Sequence, residues 1–371
     1  MRKRHLIRIR RRGLPHPAPG RIVFLLLRKA AAGIASILSL PALKPVVLTI
    51  TAVFLLLAAV PYGVSLLSKG DADSGGMEER ADFQPAELPD TVDLYRTEAE
   101  RVETVDFEDY VKGVVSGEVP SEFHREALKA QAVAARTYSA ARIIKAREGG
   151  NPQAHPSAPL CDSTHCQVYR SPEELEELKG EGWMDKGWKK ISSAVEATEG
   201  QLLYYKGRLV EQALFHSSSG GKTENSEDVF ASAYPYLVSV DSPYETQATH
   251  RNEKNSFSME EFSEKIKTAY PQKDFGSVTA SSIYVESRSQ GGRVDEMKIG
   301  SAILSGRQVR EALGLPSANF TVEASENTVT FTSSGSGHGV GMSQYGADGM
   351  AREGYDYKEI LSHYYSGTEV Y

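Results

Sequence analysis

The amino-acid sequence predicts an α+β fold: helices first, then a mostly antiparallel sheet region, then short C-terminal helices, all behind one apolar segment long enough to cross a bilayer. Three observations carry this prediction. Apolar residues recur at helical spacing from Phe107 to Ile144, the period shortens to two after Gly200, and helix caps reappear from Ser343 onward. No internal repeat is visible, which sets solenoid architectures aside.

Residues 1–44 contain eleven Lys and Arg and no Asp or Glu, leaving 31 basic against 49 acidic groups in the remainder. Such an acidic main domain is a poor match for nucleic acid. Residues 45–68 carry no charge and include Val46-Val-Leu-Thr-Ile-Thr-Ala-Val-Phe-Leu-Leu-Leu-Ala-Ala-Val60, so a transmembrane helix is expected there. The stretch exceeds the apolar core of a signal peptide and no clear small-residue cleavage site follows it, which favours a retained anchor over a cleaved leader. With the basic arm before the span and Asp71-Ala-Asp-Ser after it, the arm is expected in the cytoplasm and the bulk of the chain outside. Residues 22–43 are also apolar but contain Arg28 and Lys29, and suit the membrane surface. Residues 69–92, rich in Asp, Ser, Gly and Glu with Pro85 and Pro89 as breakers, read as a stalk, and the folded domain is expected over 93–371.

In that domain Phe107, Tyr110, Val111, Val114 and Val115 form one helical face, with Asp106 as N-cap. An Ala-rich helix over about 122–147 follows Pro120. Pro120 disfavours one continuous helix and pushes Val119 toward extended geometry, so Glu118 falls at a break where its carboxylate can face a cleft. Val115 and Val119 beside it would desolvate the carboxyl and raise its pKa, as a proton donor working near neutral pH requires. The plainer reading is a solvated glutamate at a helix end. Further helices are expected over about 172–180 and 186–198, then a hairpin from Gln201 to Phe215 turning at Lys206-Gly207. A Ser258-capped helix to Tyr270, strands near 282–287 and 293–299, a helix over 306–313, strands near 320–324 and 328–332, and helices after Ser343 and over 357–364 complete the order.

Four further groups carry chemistry. The segment His155-Pro-Ser-Ala-Pro-Leu-Cys161-Asp-Ser-Thr-His165-Cys166 offers two imidazoles and two thiols, a closed set suited to tetrahedral zinc; a disulfide and free thiols stay open as alternatives. A catalytic zinc is disfavoured, because four such ligands leave no open position. Arg136 and Tyr138 lie together on the long helix, where Arg136 either anchors an acetamide or carboxylate or pairs with a core charge. The loop His216-Ser217-Ser218-Ser219-Gly-Gly-Lys-Thr223 lacks the spacing of a phosphate-binding loop, which argues against nucleotides. Near the C-terminus Gly335, Gly337, Gly339 and Gly341 alternate around His338, and Ser343 caps a helix that begins with Gln344. His338 is either a cleft group or a structural histidine.

Two blocks, Gly113-Val-Val-Ser-Gly-Glu-Val-Pro120 with Glu126-Ala-Leu-Lys-Ala-Gln-Ala-Val-Ala-Ala-Arg-Thr-Tyr138, and Gly337-His-Gly-Val-Gly-Met-Ser-Gln-Tyr-Gly-Ala347, resemble the stage II sporulation protein D family, which includes the amidase enhancers. The resemblance covers residues from about 90 to the end. It implies that Glu118 is the catalytic acid of a lytic transglycosylase, cutting peptidoglycan strands that lack stem peptides during engulfment in sporulation. It also implies a structural zinc site after the Ala-rich helix, and Ser217, Ser218, Ser219 and Thr223 in a loop facing substrate, with His338 and Gln344 joining the cleft. The implied partners are a sporulation cell-wall amidase and membrane engulfment proteins, and the implied place is the septal space. The alternative within the family is a non-catalytic module that binds glycan and stimulates an amidase.

A lytic transglycosylase suits a chain with one specially placed carboxylate. The muramic 6-hydroxyl is an intramolecular nucleophile, so its effective molarity offsets a missing second acid and one glutamate serves as acid and then base. Glu122, Glu126 and Asp162 read as ordinary charges.

Overall fold

The computed structural model describes residue 83 and residues 85–371 apart from Ala231. The basic arm, the apolar span and most of the stalk lie outside the described residues. Among the described residues no helix is long and apolar enough to cross a membrane.

The folded region begins slightly earlier than its composition suggests. Strand β1 (Thr91–Arg96) starts inside the expected stalk, pairs antiparallel with β2 (Arg101–Asp106), and buries Val92 and Leu94. Ala86 and Leu88 pack on the core ahead of it, and the Tyr204 hydroxyl accepts from the Ala86 N–H at 2.9 Å. Helix α1 (Phe107–Glu118) follows β2 directly. Asp106 caps it by accepting from the Asp109 N–H at 3.0 Å.

The first core forms around α2 (Arg125–Gly149). Ala127, Ala130, Ala132, Ala134 and Ala135 are buried on successive faces, so α2 is enclosed rather than amphipathic. Small side chains let α1 and the helices Lys189–Glu196, Gln344–Arg352 and Tyr357–Tyr364 approach its backbone closely. After α2 a short strand, β3 (Leu160–Cys161), lies parallel to β1 with Tyr95 opposite Cys161. The expected hairpin is present as Leu203–Tyr205 and Arg208–Leu209. Lys206 and Gly207 between them both take positive φ, 50° and 76°, the geometry of a tight two-residue turn.

Residues 253–333 build a second core on two separate three-stranded antiparallel sheets, closed by the Ser258-capped helix Met259–Ala269 and the helix Gly306–Leu313. Phe262, Ile266, Met297, Ile299, Val309, Phe320 and Phe331 fill it. The lobe is an insertion whose ends meet. Glu253 pairs with Ser333, and the Gly335 N–H donates to the His250 carbonyl at 2.8 Å. A buried ion pair, Arg293 to Glu224 at 3.4 Å, ties the lobe to the first core. The α+β class stands, with the strands divided among small sheets instead of one.

Candidate active site

Glu118 is the last residue of α1, and Val119 leaves the helix at φ −132°, ψ 152°, as Pro120 demands. The side chain is half-buried beside buried Val115 and Val119. Burial raises its pKa, and two partners partly counter that: the Val168 N–H, which donates to Oε1 at 2.7 Å, and the Gln344 side chain. Gln344 faces the carboxylate without closing a full hydrogen bond, since its Nε2 has no partner in bonding geometry. No second carboxylate acts on Glu118 among the described residues.

Two glycines let Val168 reach the acid. A Cβ on Gly117 would stand 2.6 Å from the Val168 carbonyl oxygen, and one on Gly113 would stand 2.4 Å from the Tyr169 ring. Gly113 and Gly117 therefore form the groove in which residues 168–170 lie against α1. Their spacing of four on one helix face is the signal that could have exposed this contact in the sequence. Because Ala is the better helix former, Gly117→Ala isolates the groove from the helix itself. The expected result is faster hydrogen exchange at the Val168 amide and a loss of about 10- to 100-fold in rate, through displacement of the acid.

Gln344 is placed by a carboxylate that the sequence did not single out. Buried Glu245 accepts from the Ser219 N–H at 2.8 Å, Ser219 Oγ at 2.7 Å, the Gly220 N–H at 2.8 Å, Ser242 Oγ at 2.9 Å and Ser343 Oγ at 2.5 Å. Ser343 caps the helix that begins with Gln344, and its Oγ also accepts from the Gly346 N–H at 3.0 Å. Glu245 thus joins the serine loop to the cap beside Glu118. Ser217 belongs to the same wall, its carbonyl accepting from the Tyr345 N–H at 3.0 Å, while the Tyr345 ring packs edge-on to Phe123.

The other expected substrate contacts are placed differently. Arg136 is fully enclosed: Nε and Nη2 donate to the Glu108 carboxylate at 2.7 Å each, and Nη1 and Nη2 to the Gln201 and Val195 carbonyls at 3.3 and 3.2 Å. Tyr138 is buried with Arg142 over its ring, 5.0 Å from the centroid. Ser219 is spent on Glu245, and the Thr223 hydroxyl donates to the Val240 carbonyl and accepts from the Val240 N–H. The polar atoms of Arg136, Ser219 and Thr223 are thus inside the protein and already bonded, and the Tyr138 ring is buried. Ser218 is buried and exchanges backbone hydrogen bonds with Ser336. His338 lines a cavity of about 260 Å³ between the two lobes, and burial with Arg293 nearby lowers its pKa to about 4.

His155, Cys161, His165 and Cys166 converge, with all four ligand atoms within 4.8 Å of one another. His155 Nε2 is 3.3 Å from His165 Nδ1 and 3.4 Å from Cys166 Sγ; His165 Nδ1 is 3.6 Å from Cys166 Sγ and 3.8 Å from Cys161 Sγ. Zinc bonds of about 2.0–2.3 Å give tetrahedral edges of roughly 3.3–3.8 Å, so the set fits the ion, adjacent His165 and Cys166 included. His155 Nδ1 donates to the Ala158 carbonyl at 2.7 Å, which turns the Nε2 lone pair toward the centre. Cys166 leads through buried Gln167 to Val168, so the cluster lies on the same irregular segment as the N–H that holds Glu118.

A sequence model described as "Stage II sporulation protein" matches residues 95–205, which include Glu118 and the His/Cys cluster. A second, a domain of unknown function (DUF8618), matches residues 233–341 and so contains the inserted lobe. The chain is 41% identical to stage II sporulation protein D of Bacillus amyloliquefaciens over 286 residues, covering 76% of this chain and 79% of the relative. It is 40% identical to stage II sporulation protein D of Bacillus subtilis (strain 168), with the same coverage. A more distant similarity, 30% over 70% of this chain and 40% of the relative, is to an amidase enhancer of Bacillus subtilis. With Glu118 and its two glycines inside the matched residues 95–205, and 40–41% identity over about three quarters of the chain, the chain belongs to the stage II sporulation protein D family.

Proposed function

We propose that this chain is a lytic transglycosylase that cleaves peptidoglycan glycan strands lacking stem peptides, acting outside the membrane behind the apolar span of residues 45–68. The observation that carries the reading is Glu118 itself: a half-buried carboxyl with a raised pKa, held by one backbone N–H, with no second carboxylate acting on it among the described residues. Val168 occupies Oε1, so the acidic proton sits on Oε2. In the first step that proton passes to the glycosidic oxygen between muramic acid and the next glucosamine as the bond breaks. The carboxylate left behind is stabilised by the Val168 N–H and takes the proton of the muramic 6-hydroxyl, whose oxygen closes on the anomeric carbon as a 1,6-anhydro ring. Purified protein incubated with denuded glycan is expected to release anhydro-muramic ends. Hydrolysed reducing ends, or intact strands, would overturn the reading.

The His/Cys cluster is proposed to hold a structural zinc, which pins the segment running to Val168. Elemental analysis is expected to find one zinc per chain, with Cys161→Ser losing both the metal and several degrees of melting temperature. The amidase-enhancer relative supports a second reading, a glycan-binding stimulator of an amidase. That reading is preferred if Glu118→Gln stimulates an amidase at full strength and no anhydro product forms.

A further inference from the structure

The cavity of about 260 Å³ between the first core and the inserted lobe is not charge-balanced group by group. Each of its acids accepts a hydrogen bond, two of them from a guanidinium. Glu224 accepts from Arg293 at 3.4 Å and Ser289 Oγ at 2.9 Å, Glu311 from Arg307 at 2.8 Å, Asp228 from Asn225 at 2.9 Å and Asp295 from Ser287 Oγ at 3.2 Å. Of its three guanidiniums, Arg293 and Arg307 are thereby paired, whereas Arg310 forms no ion pair among the described residues and its Nε donates only to the Leu315 carbonyl at 3.2 Å. It is partly buried, and that burial disfavours its charge; adjacent Glu311 favours the charge in part, and Arg307 repels it. A half-buried guanidinium with unused donors, set in a cleft between lobes, is a site for an anion with planar geometry. The rings of Phe230 and His338, 5.6 Å apart, line the same cavity and supply an aromatic wall. His338 also fixes where the cavity lies. His338 lies six positions from Gln344 at Glu118, a path of at most about 20 Å of extended chain.

We propose that this cavity binds the free lactyl carboxylate of a muramic acid residue on the same strand that Glu118 cuts, with Arg310 as carboxylate ligand and Phe230 against the sugar. The inference rests on the glycan reading above and adds a physical reason for preferring denuded strands. A stem peptide converts that carboxylate to a neutral amide and enlarges the group, so it removes the anion that Arg310 lacks and no longer fits the space. The inserted lobe then serves as a reader of peptide removal.

Binding reads this without requiring cleavage. Full-length protein carrying Glu118→Gln is titrated with denuded glycan strands and with the same strands after reduction of their lactyl carboxyls to alcohols. Reduced strands are expected to bind about 10- to 100-fold more weakly, the range of a charge-assisted hydrogen bond. Arg310→Gln is expected to lose the same factor on native strands and nothing further on reduced ones, and Arg310→Lys to recover part of it. Equal affinity for both strands, or an equal loss on both with Arg310→Gln, overturns the proposal. If Arg310→Gln fails to fold through loss of the Leu315 contact, the salt dependence of the native-to-reduced affinity ratio decides: a ratio unmoved by salt overturns it. Should active wild-type protein leave no anhydro ends, the cleavage reading fails while this ratio still reports on the cavity.

Discussion

Glu118→Gln is expected to abolish anhydro-muramic product, with a rate loss of at least about 10³-fold, while leaving glycan affinity close to that of the wild type. The carboxamide matches the carboxyl in shape, and its oxygen can still accept from the Val168 N–H, so the lost function is proton transfer rather than position. The same substitution has a stability signature with a definite sign. Burial raises the Glu118 pKa above its usual 4.5, so the folded chain binds the proton more tightly than the unfolded chain. Wild type therefore carries no penalty below about pH 4 and loses stability as pH rises through the raised value, whereas the amide carries no such term. Melting temperatures of wild type and Glu118→Gln should converge at low pH, with the mutant higher at pH 8. A mutant that melted lower than wild type at pH 8, with the deficit vanishing toward low pH, would show that the carboxylate is held in its charged form, and would remove the basis for calling it an acid. The raised pKa also places the fall in activity on the alkaline side, beyond the range of an ordinary carboxyl.

The acid was legible because proline acts locally. Pro120 fixes the conformation of Val119 and ends the helix at Glu118, and caps such as Asp106, Ser258 and Ser343 are one-residue signals of the same kind. What surrounds the acid was not legible, because it comes from elsewhere in the chain. Val168 arrives from fifty residues away and Gln344 from the far end of the domain, brought together by glycines and a buried glutamate whose roles appear only in three dimensions. Glu245 reads in sequence as one more surface acid. Its five donors come from two loops and a helix cap that are not adjacent in the chain. Strands β1 and β2 were missed for a related reason: their outward faces are charged, and the acidic composition of the preceding segment masks the alternation of Val92, Leu94 and Arg96. Cysteine and histidine spacing did identify the cluster, since ligands within one loop are close by necessity.

Arg136 shows how a residue inside the family's signature can matter without touching substrate. Its guanidinium makes a two-pronged pair with Glu108 of α1 and reaches the carbonyls of Val195 and Gln201, so it clamps α1, α2 and the end of the Lys189–Glu196 helix. Arg136→Ala strands the partly buried Glu108 carboxylate and is expected to cost about 3–5 kcal/mol, lowering the melting temperature by about 10 °C or more. Arg136→Lys should recover only part, since an ammonium cannot match the planar fork. Both variants would also lose glycan cleavage, which on its own looks like loss of a substrate contact. The double replacement Arg136→Met with Glu108→Leu separates the two explanations. It removes both charges and refills the space with apolar side chains, an exchange that is often neutral for a buried pair. If the clamp is the whole role, the double variant regains most of the melting temperature and, with Glu118 again held in place, most of the cleavage rate. If stability returned while glycan affinity stayed low, Arg136 would belong to the binding surface, and its enclosure in the folded chain would have to open when substrate arrives.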